Sequence, residues 1–215
     1  VNPSLFLFIG TLKDNQCVSD TVYPMDVYDA IISRRSIRRF HQRPVRLDFL
    51  KKCVNAARLA PSAANLQPLE YCIVNDKTLC AHLFEALHWA AYIQPKWTPR
   101  ETERPTAYII VLVKDTKNPY YERDVALATE NIVLTAEGEG LGTCILCNIE
   151  RVKIQEVCNI PLTLAIDSVI ALGYKAESPV VEEMKDSVKY WRDDKETLHV
   201  PKRKLEDVLH LNRFS

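Results

Sequence analysis

Apolar positions along this chain fall into two rhythms, and those rhythms mark its elements. In Met25-Asp26-Val27-Tyr28-Asp29-Ala30-Ile31-Ile32, Val27 aligns with Ile31 and Tyr28 with Ile32, the spacing of a helix. Leu47, Leu50, Val54 and Ala57 repeat that spacing and predict a second helix to about Ala60, where Pro61 stops it. Leu69 to Asn75 reads as a strand. Asn75 or Asp76 then caps a third helix through about Tyr92, with Leu79, Leu83, Leu87 and Ala90 in a stripe. Thr106 to Val113 is almost wholly apolar, as a central strand buried on both faces should be. A fourth helix from Tyr121 to Glu137 keeps Val125, Ala128, Ile132 and Thr135 on one face. A short helix (Glu150 to Cys158) and an apolar strand (Asp167 to Gly173) follow. Lys175 to His199 is charged and reads as irregular, and Leu205 to Leu209 begins a terminal helix. Residues 1–24 have no clear period. They are expected to be an upstream extension or loose arm, with Met25 the natural start of one domain over 25–215.

Composition narrows the picture. With 215 residues, 47% of them hydrophobic, the chain can bury a sizeable core. No apolar run approaches the roughly 18 residues of a membrane span. Leu5 to Ile9 is short and has no Lys or Arg before it, which argues against a secretory signal. Seven cysteines, an odd number without framework spacing, fit a reducing cytoplasm. Basic and acidic residues balance at 28 each, which argues against a nucleic-acid partner.

Against that neutral background, Arg34-Arg35-Ser36-Ile37-Arg38-Arg39-Phe40 packs four arginines and a serine into seven residues. Fork-shaped and hydroxyl donors at this spacing suit a phosphate; the competing reading is a solvated basic loop. Pro61 to Pro68 is small and polar between two prolines and presents Ser62, Asn65 and Gln67, groups that can hold a planar polar ring or simply connect two elements. Gly138-Glu139-Gly140-Leu141-Gly142 holds three of the five glycines, so its backbone needs unusual dihedrals or close approach. It is no dinucleotide fingerprint, because the spacing differs and it follows a helix. Cys144 and Cys147 form a C-x-x-C pair inside what reads as a buried strand, where thiols are mostly inert. His82 and His88 lie six apart, off the i, i+4 metal spacing, and no metal is expected. Gln94 to Pro105, proline-punctuated and carrying Trp97, reads as a mobile loop. Val200-Pro201-Lys202-Arg203-Lys204 adds a second basic cluster, suited to close with the first on one phosphate.

Together these pieces resemble the FMN-dependent nitroreductase family of NAD(P)H oxidoreductases, from about Met25 to the C-terminus. The resemblance rests on R-R-S-I-R-R-F (Arg34 to Phe40), P-S-A-A-N-L-Q-P (Pro61 to Pro68), E-G-L-G-T-C (Glu139 to Cys144), A-L-G-Y (Ala171 to Tyr174) and P-K-R-K-L-E-D-V-L (Pro201 to Leu209). It implies an α+β fold: a mixed, mainly antiparallel sheet flanked by helices, in an intertwined homodimer with FMN at the interface. By position, Arg34, Arg35, Ser36 and Arg38 hold the phosphate and ribityl chain. Pro61, Ser62, Ala63, Asn65 and Gln67 line the flavin, the loop coming from the other subunit. Leu146 and Cys147 lie near flavin N5, and Lys202 and Arg203 return to the phosphate. Cys147 stands where many members carry glycine, and Ala126 and Glu130 where many carry glycine and glutamine. The implied reaction passes hydride from NADH or NADPH through flavin N5 to a nitroaromatic, quinone or similar small acceptor by ping-pong turnover, with no catalytic side chain. The alternatives are a dehalogenase or dehydrogenase of the same fold, a flavin-binding sensor or storage module, and a structural dimer without cofactor.

Overall fold

The computed structural model describes residues 25–214, so the reading of 1–24 as an extension lies outside the described residues. The elements that build the sheet are β1 (Phe40–His41), β2 (Leu69–Val74), β3 (Ala107–Val113), β4 (Leu141–Leu146) and β5 (Ala165–Lys175). Strand β5 is the hub: it pairs antiparallel with β1, β3 and β4, and β3 carries β2 on its far side. Parallel pairing occurs at the isolated Ser36–Thr143 bridge and in a small sheet described below.

Strand β3 is buried at every position, and its alternation divides the core. Ala107, Ile109, Val111 and Val113 face α2 (Leu47–Arg58) and α4 (Tyr121–Gly138), meeting Leu50, Cys53, Ala57, Ala128, Ile132 and Ala136. Tyr108, Ile110 and Leu112 face α3 (Lys77–Phe84) and α5 (Arg151–Cys158), meeting Leu83, Phe84 and Ile154. Helices α2 and α4 are tied further by Asn131, whose side-chain amide donates to the Ala56 carbonyl at 3.0 Å.

Three expectations change. The third helix ends at Phe84, not Tyr92. Beyond it the backbone turns away to pair with 148–149: Leu87 bridges Ile149, and the His88 N–H reaches the Asn148 carbonyl at 3.1 Å. The apolar stripe continues because Leu87 and Ala90 are buried in that turn just as they would be in a helix. The charged stretch after Lys175 contains β6 (Val180–Glu183), β7 (Trp191–Arg192) and β8 (Leu198–Lys202), a small sheet in the order β6-β8-β7. Residues 205–209 form a single turn, with the Leu209 N–H on the Leu205 carbonyl at 3.0 Å, not a terminal helix. The expected first helix is present as α1 (Val27–Ser33), and of its residues only Ala30 is buried. Val27, Tyr28, Ile31 and Ile32 are all exposed.

Candidate functional site

The arginine box is seated by two glycines. A Cβ on Gly142 would lie 2.8 Å from Ile37, and one on Gly173 would lie 2.8 Å from the Phe40 ring. Ile37 and Phe40 therefore press directly onto the backbones of β4 and β5, both fully within the core. The Ile37 N–H bonds the Thr143 carbonyl at 2.8 Å. Gly140 has φ +72°, so the glycine run serves both purposes expected of it: a left-handed turn into β4 and a close approach.

Seated this way, Arg34, Arg35, Ser36 and Arg38 share one short segment at the sheet edge, all partly exposed. Arg34 has a long ion pair with Glu130, 3.9 Å, and half of the Glu130 side chain is in water. Arg35 gives one N–H to the Arg34 carbonyl, while its Nε is buried with no hydrogen-bond partner among the described residues. Burial, and then the Arg34 charge beside it, pull the Arg35 guanidinium below its ordinary value, with Glu137 opposing. Arg38 lies over the Tyr190 ring at 4.5 Å and reaches the Ser36 carbonyl at 3.4 Å. Arg39, in contrast, is taken up within the chain: it pairs with Glu103 and Glu196 and lies 5.6 Å over Trp97. Trp97 thereby fastens part of the 94–105 segment to the box.

Leu146 and Cys147 sit at the far end of β4 from Gly142. Leu146 is buried and Cys147 exposed. From Thr143, which bridges Ser36, four residues of strand reach Cys147, roughly 13 Å at an extended rise. Both C-x-x-C thiols lie above their ordinary value: Cys144 chiefly through burial, Cys147 through burial and then the nearby Asp167. Neither is an activated thiolate, and both are unpaired. No group of acidic, histidine and cysteine side chains able to hold a metal occurs among the described residues.

The Pro61–Pro68 loop is held by a residue the sequence reading passed over. Asp124, 3% exposed at the first turn of α4, accepts the Ser62 hydroxyl at 2.7 Å and the Ala63 N–H at 2.9 Å. The Ser62 oxygen in turn accepts the Gln67 N–H at 3.0 Å. Ser62 is thus an internal brace, whereas Pro61, Asn65 and Gln67 are exposed and Ala63 partly so. Ala64, Asn65 and Gln67 all have φ near +50°, a conformation that persists in non-glycine residues only when the surroundings impose it. The signal for Asp124 was an acid in the first turn of a helix whose N-terminus could meet a Ser-Ala segment.

The remaining two predicted residues stand apart. Lys202 and Arg203 lie at the end of β8 away from its pairing with Arg192. Both are exposed, and Arg203 donates to the Asp207 carbonyl. No ion pair or hydrogen bond draws them to the first basic cluster among the described residues. Strand β4 therefore carries the arginine segment beside Thr143 and Leu146 and Cys147 at its other end, and among the described residues no hydrogen bond or ion pair joins that segment to the braced loop or to the second basic cluster.

Helices flanking a mainly antiparallel sheet, with an arginine-rich segment seated by glycines at its edge, define an α+β protein of one fold class. The sequence profile of the Nitroreductase family matches residues 31–174, and the chain belongs to that family. A protein of Archaeoglobus fulgidus provisionally named NADH dehydrogenase/NAD(P)H nitroreductase is 32% identical over 164 residues, spanning 73% of this chain and 89% of that one. An iodotyrosine deiodinase of Thermotoga neapolitana is 25% identical over 165 residues, 69% of this chain and 88% of its own. The structure of an FMN-dependent nitroreductase from Clostridium difficile superposes with a TM-score of 0.61 at 24% identity, covering 86% of this chain and 98% of that one, which establishes the fold.

Proposed function

We propose that the chain is an FMN-dependent NAD(P)H oxidoreductase that works as a homodimer. The observation that carries this reading is Arg35: a guanidinium depressed by burial and by Arg34, with a buried N–H left unpartnered, in a segment seated for close approach. A phosphate placed there relieves the repulsion and accepts a hydrogen bond from that N–H, so the residues present fit the FMN phosphate. Arg34, Arg35, Ser36 and Arg38 would hold it. Leu146 and Cys147, at the other end of β4, would border the ring. When bound, FMN supplies a ring that takes hydride at N5 from NADH or NADPH and passes it to a nitroaromatic, quinone or similar small acceptor, the two occupying one face in turn.

The partner subunit completes this site. Asp124, which pins the 61–68 loop, and Glu130, which faces Arg34, are six residues apart on α4. That is about 9 Å along the helix and roughly 240° around it. The loop thus lies on another side of α4 from its own chain's box, and in this reading Pro61, Ser62, Ala63, Asn65 and Gln67 wall in the partner's flavin. Lys202 and Arg203, which stay away from the box in their own chain, approach the phosphate from the tail. The exposed Val27, Tyr28, Ile31 and Ile32 of α1 are covered by the second copy. Among the described residues no helix is long and apolar enough to cross a membrane, and the six described cysteines are unpaired; we place the protein in the cytoplasm.

A second reading, reductive dehalogenation on the same flavin, draws support from the deiodinase among the relatives. Anaerobic reduction by NADH and NADPH, followed by mixing with a nitroarene, a quinone or a halotyrosine, separates the two. Fast reoxidation by the first pair supports the main reading. Turnover with the halotyrosine alone supports the second. No reduction by either nucleotide counts against both.

A further inference from the structure

One carboxylate outside the boxes already described holds the anion segment from behind. Glu177 follows the end of β5, and its side chain is 6% exposed. Oε1 accepts the backbone N–H groups of both Arg38 and Arg39. Oε2 pairs at 2.6 Å with Arg192, whose side chain is 7% exposed. The adjacent peptide runs the other way, with the Ala176 N–H on the Arg39 carbonyl at 3.0 Å. Arg192 is on β7 and is braced in turn: it donates to the Glu196 carbonyl at 2.7 Å and lies 5.1 Å over Trp97, the indole that Arg39 also faces.

We propose that Glu177 is a positioning residue for the phosphate site: by capping two consecutive N–H groups it fixes the backbone carrying Ser36 and Arg38, and through Arg192 it makes phosphate affinity depend on the small β6-β8-β7 sheet being docked. The proposal rests on the FMN reading of the arginine box. Its physical basis is the orientation of the segment. Ile37 must stay on Gly142 and Phe40 on Gly173, and those contacts alone leave the two intervening N–H groups without acceptors. A buried carboxylate supplies both acceptors at once. Arg192 neutralises it, so that the charge of the box toward a phosphate is not reduced. The tail is thereby coupled to the cofactor site through buried groups that touch no part of the ligand.

The test uses the full chain and two flavins, FMN and riboflavin, which differ by the phosphate. Dissociation constants from flavin fluorescence are compared for the wild type, Glu177→Leu/Arg192→Met and Glu177→Gln/Arg192→Met. The Leu/Met pair removes the charges together and leaves no buried ion unpaired; the Gln/Met pair restores an acceptor oxygen. The expected result is a loss of about tenfold or more in FMN affinity for Leu/Met, about the effect of one lost charge-assisted bond, with riboflavin affinity unchanged. The Gln/Met pair restores the cap but not the tether, so it should recover only part of the loss. If Leu/Met does not fold, Glu177→Gln alone carries the comparison, since its amide keeps an acceptor for the two N–H groups but places an N–H group against Arg192 and weakens the tether; a smaller loss, still confined to FMN, is expected. A wild type that prefers FMN, together with a variant that keeps the full preference or loses affinity for both flavins equally, overturns the role of Glu177 alone. A wild type that binds neither flavin overturns the FMN reading and this assignment with it.

Discussion

Arg35 is the side chain whose surroundings most plainly ask for an anion, and replacing it is the sharpest single-residue probe. Arg35→Met should weaken FMN by about ten- to a hundredfold, the loss of one charge-assisted hydrogen bond of about 1.5–3 kcal/mol, with riboflavin little affected. Fluorescence titration with both flavins reads this directly, and equal losses for the two would count against a phosphate at Arg35. Gly142→Ala probes the seat instead of the ligand. Its Cβ would meet three atoms of Ile37 within 2.9 Å, inside the core. Overpacking of this kind costs about 1–3 kcal/mol, a fall of roughly 5 °C in Tm for a chain of this length, and calorimetry without added flavin should show it. These glycines were legible: a run of them can only mean special dihedrals or close contact, and Gly140 and Gly142 supply one each. Asp124 and Glu177 were not legible. An acid in a first helical turn and an acid in a charged tail look like surface residues until the chain brings N–H groups to them.

The Pro61–Pro68 loop behaves as an element in its own right. Three non-glycine residues with positive φ follow Ser62 and Ala63, the two residues that the Asp124 carboxylate holds, so removing that anchor should release the whole loop. Asp124→Ala should cost about 2–3 kcal/mol of stability and raise hydrogen exchange across 62–67, with β3 unaffected. Unchanged exchange in the loop would show that Asp124 is not its anchor. The elements themselves were readable where periodicity was long. Strand β3, α2 and α4 lie where their apolar patterns place them, because each packs against a large, continuous partner. The third helix was drawn too long, since burial after Phe84 comes from a turn paired to 148–149, and a buried turn leaves the same apolar stripe as a helix. The small tail sheet was missed because its strands have two to five residues and are rich in charge, as exposed edges are.

For the molecule as a whole, two properties follow from what is buried and what is not. Burial, aided by Glu139, pushes Cys53 up to about 12, and burial with Asp76 does the same for Cys80. Their ordinary value is 9.0, so the unfolded chain releases these protons first. The stability that comes from keeping both thiols protonated is complete below pH 9 and drains away as pH rises toward 12. Tm should fall between pH 9 and 11, and more shallowly in Cys53→Ala/Cys80→Ala; an identical slope in the variant would assign the alkaline loss to other groups. The second concerns the exposed apolar residues of α1, which the proposed homodimer would cover. Ile31→Asp should yield monomers by analytical ultracentrifugation and lower flavin content, whereas a wild type that sediments as a monomer would remove the shared site. The proposed homodimer rests on the family resemblance, because an apolar face on a short helix reads the same whether it meets its own core or a neighbour's. The most direct measurement is the visible spectrum of the purified chain after adding FMN and then, without oxygen, NADH or NADPH. The account predicts a bound-flavin absorption band that bleaches on adding the nucleotide. A protein that stays colourless after FMN is added and the excess removed, or whose band never bleaches, would contradict it.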